Sequence, residues 1–206
     1  MAAPNTNAPF GLLPIGSLTG NQNIPTNRYY IPSTDNSAYY VGSPVKLTNT
    51  ADVNGVPGVI VCAGTDIIVG AIVGVEPAGI APNAVSMVGA NLNLEQVSIP
   101  AAKTKAYYVY VSDDPLMIYV AQADATTTNQ TAANANNNCS LTITAPSPAT
   151  NPASATVLTS STFATTNTLN IRLMGLYQTP GSAFGAFSVY RVKINKHQYA
   201  DQIAGV

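Results

Sequence analysis

The apolar pattern of the chain is clearest between Ala106 and Asp124, which read AYYVYVSDDPLMIYVAQAD. Tyr107 to Val111 is an unbroken run of tyrosine and valine, residue types that suit a pleated, half-buried surface. Ser112-Asp113-Asp114-Pro115 follows, with side chains that bond back to nearby backbone and a proline that presets one turn dihedral. Leu116 to Val120 is a second β-type run. The pattern predicts strand, tight connection, strand: an antiparallel hairpin. Apolar residues on both faces place it centrally in a sheet, or under another part of an assembly.

The same alternation recurs along the chain. Asn27 to Ile31, Ala38 to Val41 and Val45 to Thr48 are short strand patterns separated by turn residues, and Asn54-Gly55 is a strong hairpin signal. Val59 to Ala63 and Ile67 to Glu76 are apolar strands, the second broken by Gly70 and Gly74. Ala84 to Val88 fits a strand or a loop, and Gln96 to Ile99 alternates before Pro100. Lys103 and Lys105 flank the entry to the central run, where on an edge they would discourage unwanted pairing. Ala125 to Asn138 has no apolar periodicity and cannot order itself by burial. Ser140 to Thr144, Ala155 to Phe163 and Leu169 to Tyr177 read as strands around a Pro-rich loop at Ala145 to Ala153. Residues 125–168 are therefore either an insertion with its own small sheet or ordinary strands joined by long loops. In the last strand pattern, Phe184 to Lys196, the buried set is Tyr190, Val192 and Ile194. The tail from His197 is a helical turn or a loose end.

Residues 1–27 form an irregular N-terminal arm. Pro4, Pro9, Pro14 and Pro25 block helix and central strand, yet Phe10, Leu12, Leu13, Ile15 and Leu18 need a surface. The arm either straps its own domain or docks on a neighbour by strand addition or arm exchange. The expected organisation is the arm (1–27), a β-rich core (28–124), a Thr/Asn-rich region (125–168) and the last core strands with the tail (169–206). Short strands and turns recurring without a fixed repeat predict a mostly β fold, an antiparallel sandwich or barrel with long polar loops.

Composition sharpens this. Of 206 residues 46% are hydrophobic and only 8% charged, against about 25% charged in an ordinary domain. The net charge of -1 supplies no basic field for nucleic acid, and weak self-repulsion favours packing against copies or a partner. Cys62 sits in an apolar run and Cys139 in a polar loop, so free thiols are expected, one buried and one exposed. The N-terminal segment has no signal-peptide pattern, and no apolar run reaches the roughly 18 residues of a membrane helix. Synthesis in the cytoplasm and no membrane association follow as expectations. The two glycosylation sequons, at Asn129 and Asn138, are discounted accordingly.

Little in the chain suggests catalysis. Asp113 and Asp114 are adjacent carboxylates, but neighbours in an extended segment point to opposite sides, and a hydrated turn explains them. His197, the single histidine, lacks any nucleophile motif around it and reads as a strand-end or surface residue. No phosphate loop, dinucleotide fingerprint, calcium loop or zinc spacing occurs. The pairs Tyr29-Tyr30, Tyr39-Tyr40 and Tyr107-Tyr108 suit a sugar platform, or simply strands and interfaces. No catalytic residue, cofactor or metal is expected.

A resemblance adds to this reading. Asn7-Ala8-Pro9-Phe10-Gly11-Leu12, Thr19-Gly20, Asn27-Arg28-Tyr29-Tyr30-Ile31 and Gly42-Ser43-Pro44-Val45-Lys46 open a series. Tyr108-Val109, Asp113-Asp114-Pro115, Gln122, Asp124, Gly175-Leu176, Phe184-Gly185, Val192 and Ile194-Asn195-Lys196-His197 continue it. In this order they resemble the head cement (capsid decoration) proteins of tailed bacteriophages. Ala125 to Asn167 departs from the family pattern, and Ser43 stands where an acidic residue is expected. The resemblance implies a β-sandwich or jelly-roll-like virion protein, made in the bacterial host cytoplasm and carried on the outer capsid surface. It implies bridging of major capsid protein subunits, self-association and no catalysis; a dimer or trimer suits a symmetric lattice. Phe10, Leu12, Leu13, Ile15 and Leu18 are the candidate capsid or self interface. The alternative is a particle-displayed binding module for carbohydrate or host adhesion.

Overall fold

The computed structural model describes residues 5–76, 97–127, 129–146 and 153–200. They are mostly β and largely antiparallel. The strands are β1 (Leu13–Ser17), β2 (Asn27–Ile31), β3 (Tyr39–Tyr40), β4 (Pro44–Ala51), β5 (Pro57–Val61), β6 (Gly70–Val75), β7 (Ser98–Ile99) and β8 (Tyr107–Ser112). Then come β9 (Met117–Gln122), β10 (Asn138–Thr142), β11 (Val157–Ala164), β12 (Ile171–Leu176) and β13 (Val189–Ile194).

Two lobes result. One is a closed barrel in the order β2-β5-β4-β6-β8, with β2 and β5 the parallel pair. Tyr29, Ile31, Val45, Val59, Ile72, Val109 and Val111 fill it, and the β3–β7 ribbon adds Tyr39 and Ile99 to the same core. The other is a six-stranded sheet, β1-β9-β13-β12-β10-β11. It curls until Ala123, just past β9, bridges Leu158 of β11 and Asp124 N–H donates to Leu158 O. This covers the far edge of β11, which would otherwise offer free backbone groups for unwanted pairing. The core inside holds Tyr119, Leu158, Ile171, Tyr190 and Val192, and the barrel side adds Cys62, Ile68 and Ala71, so the lobes share a packed boundary.

The central stretch is two strands but not a hairpin. β8 closes the barrel against β2 and β6, whereas β9 lies between β1 and β13 in the sheet. Residues 113–116 are thus the crossing between lobes. Asp113 is buried there, not hydrated: Asn27 Nδ2 donates to it at 2.9 and 3.0 Å and the Tyr29 hydroxyl at 2.6 Å. The apolar character on both sides of β9 was read correctly, since all six of its residues are buried.

Among the described residues of 125–168, β10 and β11 are ordinary strands of the main sheet rather than a separate small sheet, because β10 pairs with both β11 and β12. The polar stretch before β10 is ordered by hydrogen bonds in place of apolar burial. Gln130, 2% exposed, donates to Asp124 O and Thr126 O and accepts from Ser188 N–H. Asn129 Nδ2 donates to Ser160 O and Asn138 Nδ2 to Thr166 O. Periodicity misses such order, since amides satisfying buried backbone carry no apolar signal.

Three further expectations change. Cys139 is fully buried in β10, so both free thiols lie in one core. Lys103 guards no edge: its side chain is 0% exposed and Nζ donates to Asp35 Oδ2 at 2.9 Å, to Asp35 O at 2.6 Å and to Ser37 O. The last strand starts at Val189 rather than Phe184, because Phe187 adopts a left-handed φ of 60° in a turn tied to Asp124. Tyr190, Val192 and Ile194 are buried as expected. The Ala84 to Val88 segment and the tail beyond Ala200 lie outside the described residues.

Burial works to raise the Asp35 carboxyl pKa, but the hydrogen bonds it accepts from the Lys103 ammonium and the Ser37 N–H outweigh it and hold the pKa below the ordinary value. Such a group contributes stability in full above its unfolded value, about 4, and loses it as pH falls through the depressed folded value. His197 acts higher up the scale. Burial pushes its pKa down to about 4, so the unfolded chain takes up a proton that the folded protein refuses. Unfolding free energy is therefore expected to fall between about pH 6.5 and 4, by about 1 kcal/mol per pH unit at most. Urea titrations across this range should show that limb flattened in His197→Gln; an unchanged limb would contradict the assignment.

Candidate interaction surface

The arm lies across the boundary of the two lobes. Its path depends on two glycines. Leu12 N–H donates to Gly42 O at 2.9 Å, and Gly42 N–H donates to Ile72 O at 2.7 Å. Gly11 (φ 76°) and Gly42 (φ 86°) both sit in the left-handed region, and a Cβ on either would run into the other segment's backbone. Gly42→Ala is expected to cost about 2 kcal/mol or more from conformation and clash together. Proteolysis within residues 5–20 should accelerate if the arm is thereby loosened.

Beyond the crossing the arm becomes an edge strand. β1 pairs with β9 from Leu13↔Val120 to Ser17↔Met117, with a bulge between Pro14 and Gly16. The chain then folds back, and Ser17 N–H donates to Asn21 O at 2.9 Å. Of the two options for the arm, strapping its own domain is the one this geometry displays.

The five candidate interface residues separate accordingly. Leu12 is 0% exposed and belongs to the core shared by the lobes, so its side chain does not reach the surface. Leu13 and Leu18 are 50% and 48% exposed, and Phe10 and Ile15 are half-buried. Phe10, Leu13 and Pro14 line an apolar cleft of about 270 Å³ with Ile24, Val41 and Val73. Ile24, itself 40% exposed, was missed. Its signal was an apolar residue before Pro25 in an arm that already had several. Ile15 lies apart from this cleft, in a groove of the sheet face with Gln22, Ile118, Leu176 and Arg191.

The tyrosine pairs divide by strand alternation. Tyr29 and Tyr39 point inward and are buried. On the outer wall of the barrel, Tyr30 and Tyr108 have ring centroids 5.8 Å apart and Arg28 sits 3.6 Å over the Tyr108 ring. Arg28 also makes a two-point pair with Glu76, Nε to Oε2 at 2.7 Å and Nη2 to Oε1 at 2.9 Å. Burial first, and then the hydrogen bond to Asp52, push the Tyr108 hydroxyl up to about 12. Tyr110, 39% exposed, completes a wall in which Arg28, Glu76 and the Tyr108 hydroxyl already have partners.

The chemical candidates are not brought together. Asp113 is held by Asn27 and Tyr29, while Asp114 caps the Leu116 N–H at 2.8 Å. His197 is buried rather than on the surface, at 1% exposure, and its Nδ1 accepts from Tyr199 N–H at 3.1 Å. Among the described residues no three His, Cys, Asp or Glu side chains converge in a way that holds a metal ion. No helix among them is long and apolar enough to cross a membrane.

No protein-family model, curated protein or solved structure matches this chain.

Two exposed features beside β1 are the apolar cleft and the outward face of the six-stranded sheet. Apolar groups on a surface with so few charges gain by leaving water, at about 25 cal/mol per Å². Leu13 and Ile24 on either side of the cleft form a coherent patch rather than isolated residues.

Proposed function

We propose that this chain is a structural virion protein of the cement type, binding the outside of an icosahedral phage capsid and bridging major capsid protein subunits. The observation that carries the reading is the cleft framed by Phe10, Leu13, Pro14 and Ile24, an exposed apolar feature at the arm where the family resemblance begins. The barrel joined to a curled sheet is our reading of the jelly-roll-like architecture that the resemblance implies. A weakly charged surface supports close packing on a lattice and against further copies, as a dimer or trimer. Such a protein binds only the assembled shell, so its binding energy stabilises assembly by linkage, and repeated contacts add avidity.

Cosedimentation tests this. The purified chain should pellet with assembled shells and not with free shell subunits. Binding to neither removes the proposal. Binding to glycans or cells without shell binding would favour the adhesion module, for which the wall of half-buried Tyr30 and exposed Tyr110 is the natural surface.

A further inference from the structure

The outward face of the six-stranded sheet carries three cations in neighbouring positions. Directly opposed residues of an antiparallel pair share a face, and so do residues two apart along a strand. Lys193 of β13 stands opposite both Ile118 of β9 and Arg172 of β12, and Arg191 stands opposite Val120. Ile118 and Val120 are only 7% and 3% exposed, which suits Lys and Arg stems lying across them with their charged heads in water. Arg172 is exposed and Arg191 and Lys193 are half-buried.

Among the described residues none of the three makes an ion pair. The ion pairs there are Arg28–Glu76, Lys46–Asp66 and Lys103–Asp35. Asp52, Asp113, Asp114 and Asp124 are likewise engaged, by Tyr108, Tyr29, the Leu116 amide and Ser160. Arg172 directly opposite Lys193 is a like-charge cross-strand pair, an arrangement that destabilises a sheet. In a chain with 8 basic residues and a net charge of -1, this is a local and unrelieved concentration of positive charge.

We propose that this face is a docking surface for an acidic, extended segment of a partner protein. Its carboxylates pair with Arg172, Arg191 and Lys193, and its apolar side chains enter the groove between Ile15, Ile118 and Leu176 beside Arg191. That groove is about 510 Å³. Interleaved apolar positions and the small number of cations favour a peptide over nucleic acid, which needs a longer basic track. The surface is separate from the cleft at Leu13 and Ile24, and the inference does not depend on the shell reading.

The test uses the full chain and a labelled peptide of repeating Glu-Glu-Leu, read by fluorescence anisotropy. The same peptide with Gln for Glu and a single-stranded oligonucleotide of equal charge are the comparisons. Lys193→Glu is expected to weaken acidic-peptide binding about tenfold, as loss and reversal of one charge-assisted contact. The same variant should raise the melting temperature by about 1–2 °C, since Arg172 gains an opposite charge across the strand pair. Lys105→Glu, off this face, should leave peptide binding unchanged. The proposal is overturned by no acidic-peptide binding, by equal binding of the Gln peptide, or by equal losses in Lys105→Glu and Lys193→Glu. Oligonucleotide binding that exceeds peptide binding and is lost in Lys193→Glu also overturns it. No shell is present, so these outcomes are distinct from those of cosedimentation.

Discussion

Replacing Lys103 by methionine is expected to destabilise the protein by about 3–5 kcal/mol, the usual effect of removing one partner from a buried charge pair. The Lys103 side chain is 0% exposed and that of Asp35 only 11%, so solvent screens the pair little. Nζ also satisfies the carbonyls of Asp35 and Ser37, which methionine cannot do. The variant leaves the carboxylate with no cation and only the Ser37 N–H as donor, and takes the ammonium from two carbonyls, which is costlier than never having the pair. Asp35→Asn combined with Lys103→Met should therefore lose less than Lys103→Met alone. Urea unfolding at pH 7 measures both. A loss under about 1 kcal/mol, typical of an exposed pair, would show that the lysine is not sequestered.

The second large effect concerns the cleft. Leu13→Asp with Ile24→Asp is expected to leave unfolding free energy nearly unchanged, because both side chains are substantially exposed in the free protein. Shell binding should weaken about a hundredfold or more. Burying one such side chain contributes about 1.5–3 kcal/mol, and the loss is multiplied wherever a protein engages several subunits. A simpler experiment, deleting residues 1–20, is less informative than the sequence suggests. It would remove β1 and the buried Leu12 along with the surface residues, so lost binding would follow from lost folding. The point substitutions separate the two. Unaltered cosedimentation of the folded double variant would remove the cleft from the proposed interface.

The strands were legible in the sequence where one face is buried, and their partners were not. Tyr190, Val192 and Ile194 alternate because β13 has one face in the core. Tyr107 to Val120 gave two correct strands but the wrong connection. A turn of Ser, Asp, Asp and Pro suits a hairpin and a crossing between lobes equally well, and only long-range pairing to β2, β6, β1 and β13 decides. Lys103 and Gln130 were misjudged for a common reason. Their burial depends on carbonyls that tertiary structure brings to them, Asp35 and Ser37 in one case and Asp124 and Thr126 in the other. Of the surface, the arm's apolar residues were visible, but not that Leu12 faces inward while Ile24 faces the cleft. The cationic face was invisible, since Arg172 and Lys193 stand far apart in sequence and meet only through the β12–β13 register.

The proposal that this is a cement protein is tested most directly by the copy number of the chain in purified virus particles from its source, relative to the major shell protein. The account predicts a fixed lattice ratio, near one to one or a simple fraction of it, with the chain released before the shell falls apart. A few copies per particle would point to a tail or fibre component, and absence from particles would contradict the account outright.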